Sequence, residues 1–450
     1  MKLIRTLVLM LSICLLVCMA PFAAAEESGD YRYEISNGTA VITKYLGAGG
    51  DITIPSMLGG APVTEIGEYA FANRADLTSI TIPNSVTNIQ EYAFYIDTGL
   101  TTLVIPDSVN SIGYNAFGGC TGLRTVTVPQ SAINEFALIF VECKELISSI
   151  ILSDNVTRIG FRAFGGCNAL TNIFILDSVI SIESGAFYAC HSLPEIVIPS
   201  SVTSIDEFIF ANCDSLTSIT IPACMVDKLR SVFWGCMEQV EHVVFADNVT
   251  TISDFALYGF RALTSVTIPE SVTRIEMGAF DSCRSLKDVV IPESVQYIGD
   301  GAFHSCISLE NIYLPADTVL DRSVFYGCTS LESVDLPTNS NIIPGGLFYS
   351  CTRLTDIVIP EGVTTIEDSV FYGCTNLTGV MIPDSVTSIE EYTFFDCPQL
   401  TVYGYEGSQA EQYVRDNHIA FEILKSQTAG CGDINEDGNI DARCVDGFAA

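Results

Sequence analysis

Apolar and polar positions along this chain fall into a short block that returns almost unchanged, nearly always 23 residues later. Each block reads L-x-x-I-x-I-P-x-S-V-x-x-I-x-x-x-A-F-x-x-C. Its first full copy holds Leu77, Ile80, Ile82, Pro83, Ser85, Val86, Ile89, Ala93 and Phe94. Alternation over Leu77–Ile82 predicts a short strand with Ile80 and Ile82 inward and Ser79 and Thr81 outward. Pro83 ends that strand because it lacks the amide a continuing ladder needs. Val86 and Ile89 turn inward on the return side, and the Gly/Asp/Glu-rich stretch before Ala93-Phe94 suits a tight helical turn that drops the ring into a core. The aromatic column runs Phe71, Phe94, Phe117, Phe140, Phe164, Phe187, Phe210, Phe233, Leu257, Phe280, Phe303, Phe325, Phe348, Phe371 and Phe394. Its spacing slips by single residues at Phe140–Phe164, Phe233–Leu257 and Phe303–Phe325. A repeat of this length is one supersecondary unit that cannot bury its own apolar face, so successive units must stack. The expectation is an elongated repeat solenoid of about 15 rungs of 23 residues, its parallel strands joined in one long sheet.

The ends carry other patterns. Tyr31–Thr43 alternates around Asn37-Gly38, a two-residue hairpin turn, and residues 26–70 are expected to form an N-terminal β cap. The repeats occupy 71–400. Ser408 and Glu411 make a capping box ahead of a short helix through Asn417. Phe421–Leu424 then reads as a last strand, which gives a C-terminal cap over 401–424. A polar linker, 425–431, leads to a final segment at 432–450. Residues 1–25 have the form of a secretory signal peptide: Lys2 and Arg5, an apolar run from Thr6 to Met19, and Ala23-Ala24-Ala25 before a cleavage at Glu26. A lipoprotein reading around Leu15-Leu16-Val17-Cys18 meets Val17 where a small residue is wanted. No later stretch is long and apolar enough to span a bilayer, so the expected location is secreted and extracellular, with cell-surface association open.

Charge narrows the partners. Twenty Lys+Arg face 54 Asp+Glu, a net charge of −34. Such a surface repels nucleic acid and anionic lipid, whereas calcium, neutral glycans and basic protein patches stay compatible. Twelve cysteines sit in one repeat column, three residues after the ring: Cys120, Cys143, Cys167, Cys190, Cys213, Cys236, Cys283, Cys306, Cys328, Cys351, Cys374 and Cys397. Stacked rungs bring such residues within disulfide reach, and an exported chain permits bridges. A cysteine repeated at an interior position nevertheless acts as a small buried hydrophobe, which favours free thiols. Zinc is not expected, because no two column cysteines are close in sequence and the four His are scattered.

These residues carry a resemblance. The repeat resembles the BspA-like leucine-rich repeats of secreted bacterial surface proteins, and the Ile35–Ala40 start and Gly404–Ser408 end resemble that family's caps. The likeness implies a leucine-rich repeat solenoid and, more loosely, adhesion or ligand binding.

The final segment has chemistry of its own. Asp433, Asn435 and Asp437 stand at positions 1, 3 and 5 of an EF-hand-like loop, Gly438 at 6 and Ile440 at 8, with Asn439 and Asp441 as further oxygen donors. Calcium is the expected ion. Together with Gly432 the run resembles the first half of a dockerin, which implies attachment to a cohesin-bearing scaffold of the cellulosome type, the carrier of polysaccharide catabolism. Position 12 is Cys444 where a carboxylate should close the site, and no second dockerin repeat follows. A truncated or frame-altered product is one expectation; an acidic turn without metal is the other.

For the surfaces, an aromatic follows the column ring in many rungs. Four consecutive ones, Tyr326, Tyr349, Tyr372 and Phe395, predict a stripe. It either packs between adjacent turns, which repetition alone favours, or stacks on sugars or anchors an extracellular protein or polysaccharide. The outward strand positions, chiefly Thr, Ser, Val, Asp and Glu, are read as a flat, polar, β-branched face without a pocket. No Ser/His/Asp or Cys/His set recurs at readable spacing, and a cysteine buried in a rung is inert. The chain is therefore expected to be a non-catalytic binding or adhesion protein, with a passive spacer as the remaining reading.

Overall fold

The computed structural model describes residues 25–424. Contacts divide the chain into two compact units, Met1–Val240 and Glu241–Ala450, and each is a stack of parallel turns.

The first unit starts with three antiparallel strands, Glu26–Ser28, Tyr31–Ser36 and Thr39–Tyr45. Asn37 and Gly38 at the turn between the last two have φ of 53° and 80°, the left-handed pair that a two-residue hairpin of native twist requires. Thr39–Tyr45 then pairs in parallel with Ala61–Ile66. The strand ladder runs through Gly50–Thr53, Leu77–Thr81, Thr102–Val104, Thr125–Val128, Ser149–Leu152 and Asn172–Phe174. It therefore begins inside the 26–70 segment, before the first column ring. In the second unit a separate two-stranded ladder joins Asp288–Val290 to Asn311–Tyr313, so the one long sheet expected from the repeats is instead a series of shorter parallel sheets. A further one runs through Asp356–Val358, Gly379–Met381, Thr401–Gly404 and Ala420–Ile423.

Most turns have a second parallel contact that periodicity did not announce; the turns of Phe140 and Phe233 lack it. Two-residue strands on the return side stack in register, as in Asn88–Ile89 with Ser111–Ile112 and Thr251–Ile252 with Arg274–Ile275. The third side is a row of tight turns, replaced by short helices at Phe136–Ile139 and Leu229–Val232; a further short helix, Gln130–Ile133, follows the strand Thr125–Val128 ahead of the return side. Here the amide of a column ring donates to the next turn, Phe94 to the Ala116 carbonyl at 2.8 Å and Phe280 to the Ala302 carbonyl at 2.8 Å. Three rows of hydrogen bonds thus satisfy the backbone of a turn that no single helix or sheet could.

The rings form the core. In the first unit Tyr45, Phe71, Phe94, Phe117 and Phe140 stack at centroid separations of 5.2, 4.9, 4.9 and 5.6 Å. Where the spacing slips after Phe140, Phe136 fills the step and meets Phe164 edge-on at 5.2 Å. In the second unit the stack runs from Phe280 to Phe394, and Tyr413 of the helix Gln409–Asn417 closes it edge-on at 5.9 Å. That helix is capped by the Ser408 hydroxyl, which accepts from the Glu411 amide, while Glu411 Oε2 accepts from the Gly407 amide at 2.7 Å.

The cysteine column has a specific partner. Eleven of the twelve column thiols, all but Cys167, donate to the carbonyl of the column residue one turn back: Cys120 to Phe94 at 3.1 Å, Cys306 to Phe280 at 3.1 Å, Cys351 to Phe325 at 3.1 Å. All described cysteines are free. Burial pushes Cys143, Cys167 and Cys213 up to about 12, so these are protonated donors without nucleophilic character.

Candidate binding surfaces

The four stripe residues come together. Tyr326, Tyr349, Tyr372 and Phe395 stack on one another at 4.4, 4.5 and 4.9 Å, with planes 3°, 3° and 22° apart. His304 extends the row, its ring 4.9 Å from Tyr326 and its Nδ1 2.9 Å from Asp281 Oδ1. His304 follows Phe303 directly and so belongs to the same column. Reading that column through the second unit would have found it. Burial, then the adjacent Tyr349 hydroxyl, raises the Tyr372 phenol above its ordinary value. The faces of Tyr349 and Tyr372 are consumed by stacking, and what they offer outward is a row of edges. Only Phe395, 53 % exposed, ends the stack with a ring available to a partner.

The sheet face departs from the polar expectation. The second outward position of successive strands holds Val104, Thr127, Ile151 and Phe174, paired in register, and Val197 takes the same position in the next strand. Phe174 is 69 % exposed and Val197 62 %. In the second unit Val290, Tyr313 and Val358 occupy the equivalent position and are exposed. The polar outward residues, such as Asn172 and Glu195, lie two residues earlier on the same face and flank an apolar column. Singly these residues would mean nothing; Ile151, Phe174 and Val197, aligned on three consecutive strands, make an apolar patch.

Metal chemistry has little to work with on the rungs. Among the described residues no group of three or more His, Cys, Asp or Glu is gathered for a metal ion. The loop residues Asp433, Asn435, Asp437, Asn439 and Asp441, and the signal segment 1–25, lie outside the described residues. No helix among the described residues is long and apolar enough to cross a membrane.

Stacked parallel turns with one inward strand per repeat and an open sheet face define a leucine-rich repeat solenoid. The chain belongs to the BspA type leucine rich repeat region family, whose model matches residues 64–175, 132–256, 229–355 and 274–401. No curated protein matches it. Among solved structures it is similar to a leucine-rich repeat protein from Bacteroides ovatus, with 24 % identity over 89 % of this chain and 100 % of that one and a TM-score of 0.47. A leucine rich cell surface protein from Faecalibacterium prausnitzii shows 30 % identity over 89 % of this chain and 99 % of that one, with a TM-score of 0.32. The pneumococcal vaccine antigen PcpA shows 18 % identity over 90 % of this chain and 99 % of that one, with a TM-score of 0.34.

Proposed function

We propose that this is a secreted, non-catalytic binding protein that adheres to an extracellular protein partner through the apolar column of its sheet face. The observation that carries the reading is Phe174 and Val197 exposed beside Ile151 on consecutive strands. A flat apolar column suits a protein surface, because extended apolar contact area is what it offers. Membership of a family resembling secreted surface repeats supports the same location and role. Replacing Phe174 and Val197 with Ser should lower capture on an extracellular-matrix protein array about tenfold or more and leave the melting temperature within a few degrees, since both side chains are exposed. Unchanged capture by the double variant would remove the sheet face from consideration.

A second reading, polysaccharide binding, is favoured by the exposed ring of Phe395 at the end of the Tyr326–Tyr349–Tyr372 stack. Glycan capture lost with Phe395→Ala but kept with Tyr349→Ala would select it.

We also propose that the tail attaches the protein to a cohesin-bearing scaffold. Asp433, Asn435, Asp437, Asn439 and Asp441 would hold calcium, a hard cation that takes several oxygens. With position 12 occupied by Cys444, affinity should be weak, in the range of about 10⁻⁴–10⁻³ M. Calorimetric titration of the full chain with calcium should show heat that Asp433→Ala abolishes. No heat at millimolar calcium abandons the role.

A further inference from the structure

Phe303 and Phe325 stand one residue closer than the repeat length, and the missing residue falls on the return side of that turn. Three residues after the proline, this unit places a buried valine in Val272, Val295, Val363 and Val386. Two consecutive turns have a polar residue there instead, Thr318 and then Ser340. Thr318 stays inside by donating to the Val295 carbonyl at 2.9 Å. The Ser340 hydroxyl donates to the Ile342 carbonyl of its own turn at 2.6 Å and gives its neighbour nothing.

Between these two turns both strand rows fail together. Residues 333–336 form no strand, so Asn311–Tyr313 has no partner on that side, and Val319–Leu320 does not pair with Ile342–Ile343. On these two sides the backbone bonds reduce to Glu332 amide to Glu310 carbonyl and Asn339 amide to Ala316 carbonyl, both 3.4 Å, with Asn339 Nδ2 bonded to Asp317 Oδ1 beside them. Every other pair of successive repeat turns described in this unit keeps at least one strand row. The third side is intact: the Phe325 amide donates to the Leu347 carbonyl at 3.0 Å and the Gly327 amide to the Tyr349 carbonyl at 2.7 Å. A turn held on one side of three is where a stack opens locally.

One cation spans this weak interface and the next. Arg322 Nη2 lies 2.7 Å from Asp368 Oδ1 and 3.2 Å from Glu367 Oε2, both two turns on. It crosses the intervening turn at Gly345, whose amide donates to Glu367 Oε2 at 2.9 Å. A Cβ on Gly345 would come 2.8 Å from Arg322 Nη2 and 2.9 Å from Asp368 Oδ1, so the bare glycine is what lets the pair close over it. Exposed ion pairs add little to a well-bonded interface. Where two of three rows are missing, the same small energy decides how often the interface parts.

We propose that the interface between the turns of Phe325 and Phe348 is a joint that opens locally, and that Arg322 is the strap that holds it shut. The intact third side is the hinge, and opening uncovers the unpaired edge of Asn311–Tyr313. Arg322 and Asp368 are exposed, so salt screens the strap and ionic strength sets the open fraction.

The test is amide hydrogen exchange of the full chain, read by mass spectrometry at about 0.05 M and about 0.5 M sodium chloride, between which the screening length falls about threefold. In wild type residues 331–343 should exchange about tenfold or more faster than the equivalent residues 354–366. Arg322→Ala removes the cation, and Gly345→Ala displaces it with every charge kept. Each should speed exchange of 331–343 about fivefold at the lower salt and less than about twofold at the higher. Comparing variants with wild type at each salt cancels the field of the other carboxylates. Equal exchange of the two segments in wild type would overturn the joint. Wild-type exchange in Arg322→Ala at the lower salt, or an increase that persists undiminished at the higher, would overturn the strap.

Discussion

Truncating Phe303 to Ala is expected to lower the free energy of unfolding by about 4 kcal/mol, within the range for removing a buried ring. Phe303 is fully buried between Phe280 at 5.0 Å, nearly parallel at 2°, and Phe325 at 6.0 Å. Removing it empties the space between two rings that have no other stacking partner on that side. In a repeat stack each turn is held by its two neighbours, so a gap in the middle weakens both interfaces. Leu257, fully buried in the same column, shows that a branched aliphatic fills the position. Phe303→Leu should therefore cost only about 1 kcal/mol. Tyr349→Ala removes a stripe ring of similar size from the half-buried exterior, and should cost less than Phe303→Ala. Urea unfolding of the three variants, followed by far-UV circular dichroism, checks the order. Equal losses for Phe303→Ala and Tyr349→Ala would contradict the assignment of the inner column as the spine.

How much of this was legible depended on how many residues carried each signal. The inner ring column and the strand Leu77–Ile82 were readable because an interior position meets the same neighbours in every turn, so the same residue type recurs. The return-side pairs, such as Asn88–Ile89, were too short for alternation to register. The left-handed turn residue was signalled by Gly278, Gly301 and Gly346 but masked by Tyr69, Tyr92, Phe208, Phe255 and Tyr392 in the same row. The polar reading of the sheet face failed because it pooled all outward residues; Phe174 and Val197 share one position, and Thr and Ser crowd the others. The stripe residues were found, while their mutual stacking, which decides whether a face or an edge is offered, depends on centroid distances that no spacing encodes. Tyr45 and Tyr413 close the two ring stacks from outside the repeat, and nothing periodic points to them.

The second large effect concerns pH. Asp97 stands in the column that cysteine fills in later turns, three residues after Phe94, and it is fully buried. Its Oδ1 accepts from the Arg74 amide at 2.8 Å, whereas Oδ2 has no partner. A column thiol donates to a ring carbonyl one turn back; an ionised carboxylate has no proton to give. Burial drives the Asp97 carboxyl up to about 8 from 3.8, against the lowering effect of the Arg74 amide and guanidinium. Between those values the folded state holds a proton that the unfolded chain has released. Stability is therefore fully present below about pH 4 and falls as pH rises towards 8, by up to about 1.4 kcal/mol per unit. Over the whole window the loss is on the order of 5 kcal/mol. Asp76, held down to about 2 by Arg74, acts in the opposite sense only below this window. Asp97→Cys restores the column donor and removes the titration, so the variant should outlast wild type at pH 8 and match it near pH 4. Because repeat stacks open locally, the measurement is amide hydrogen exchange of the turns spanning residues 71–123, with wild type and Asp97→Cys compared across pH so that the field of the other carboxylates cancels. A difference that does not grow with pH would mean that the unpartnered Oδ2 finds a donor in solution, and that the carboxylate is tolerated inside the stack.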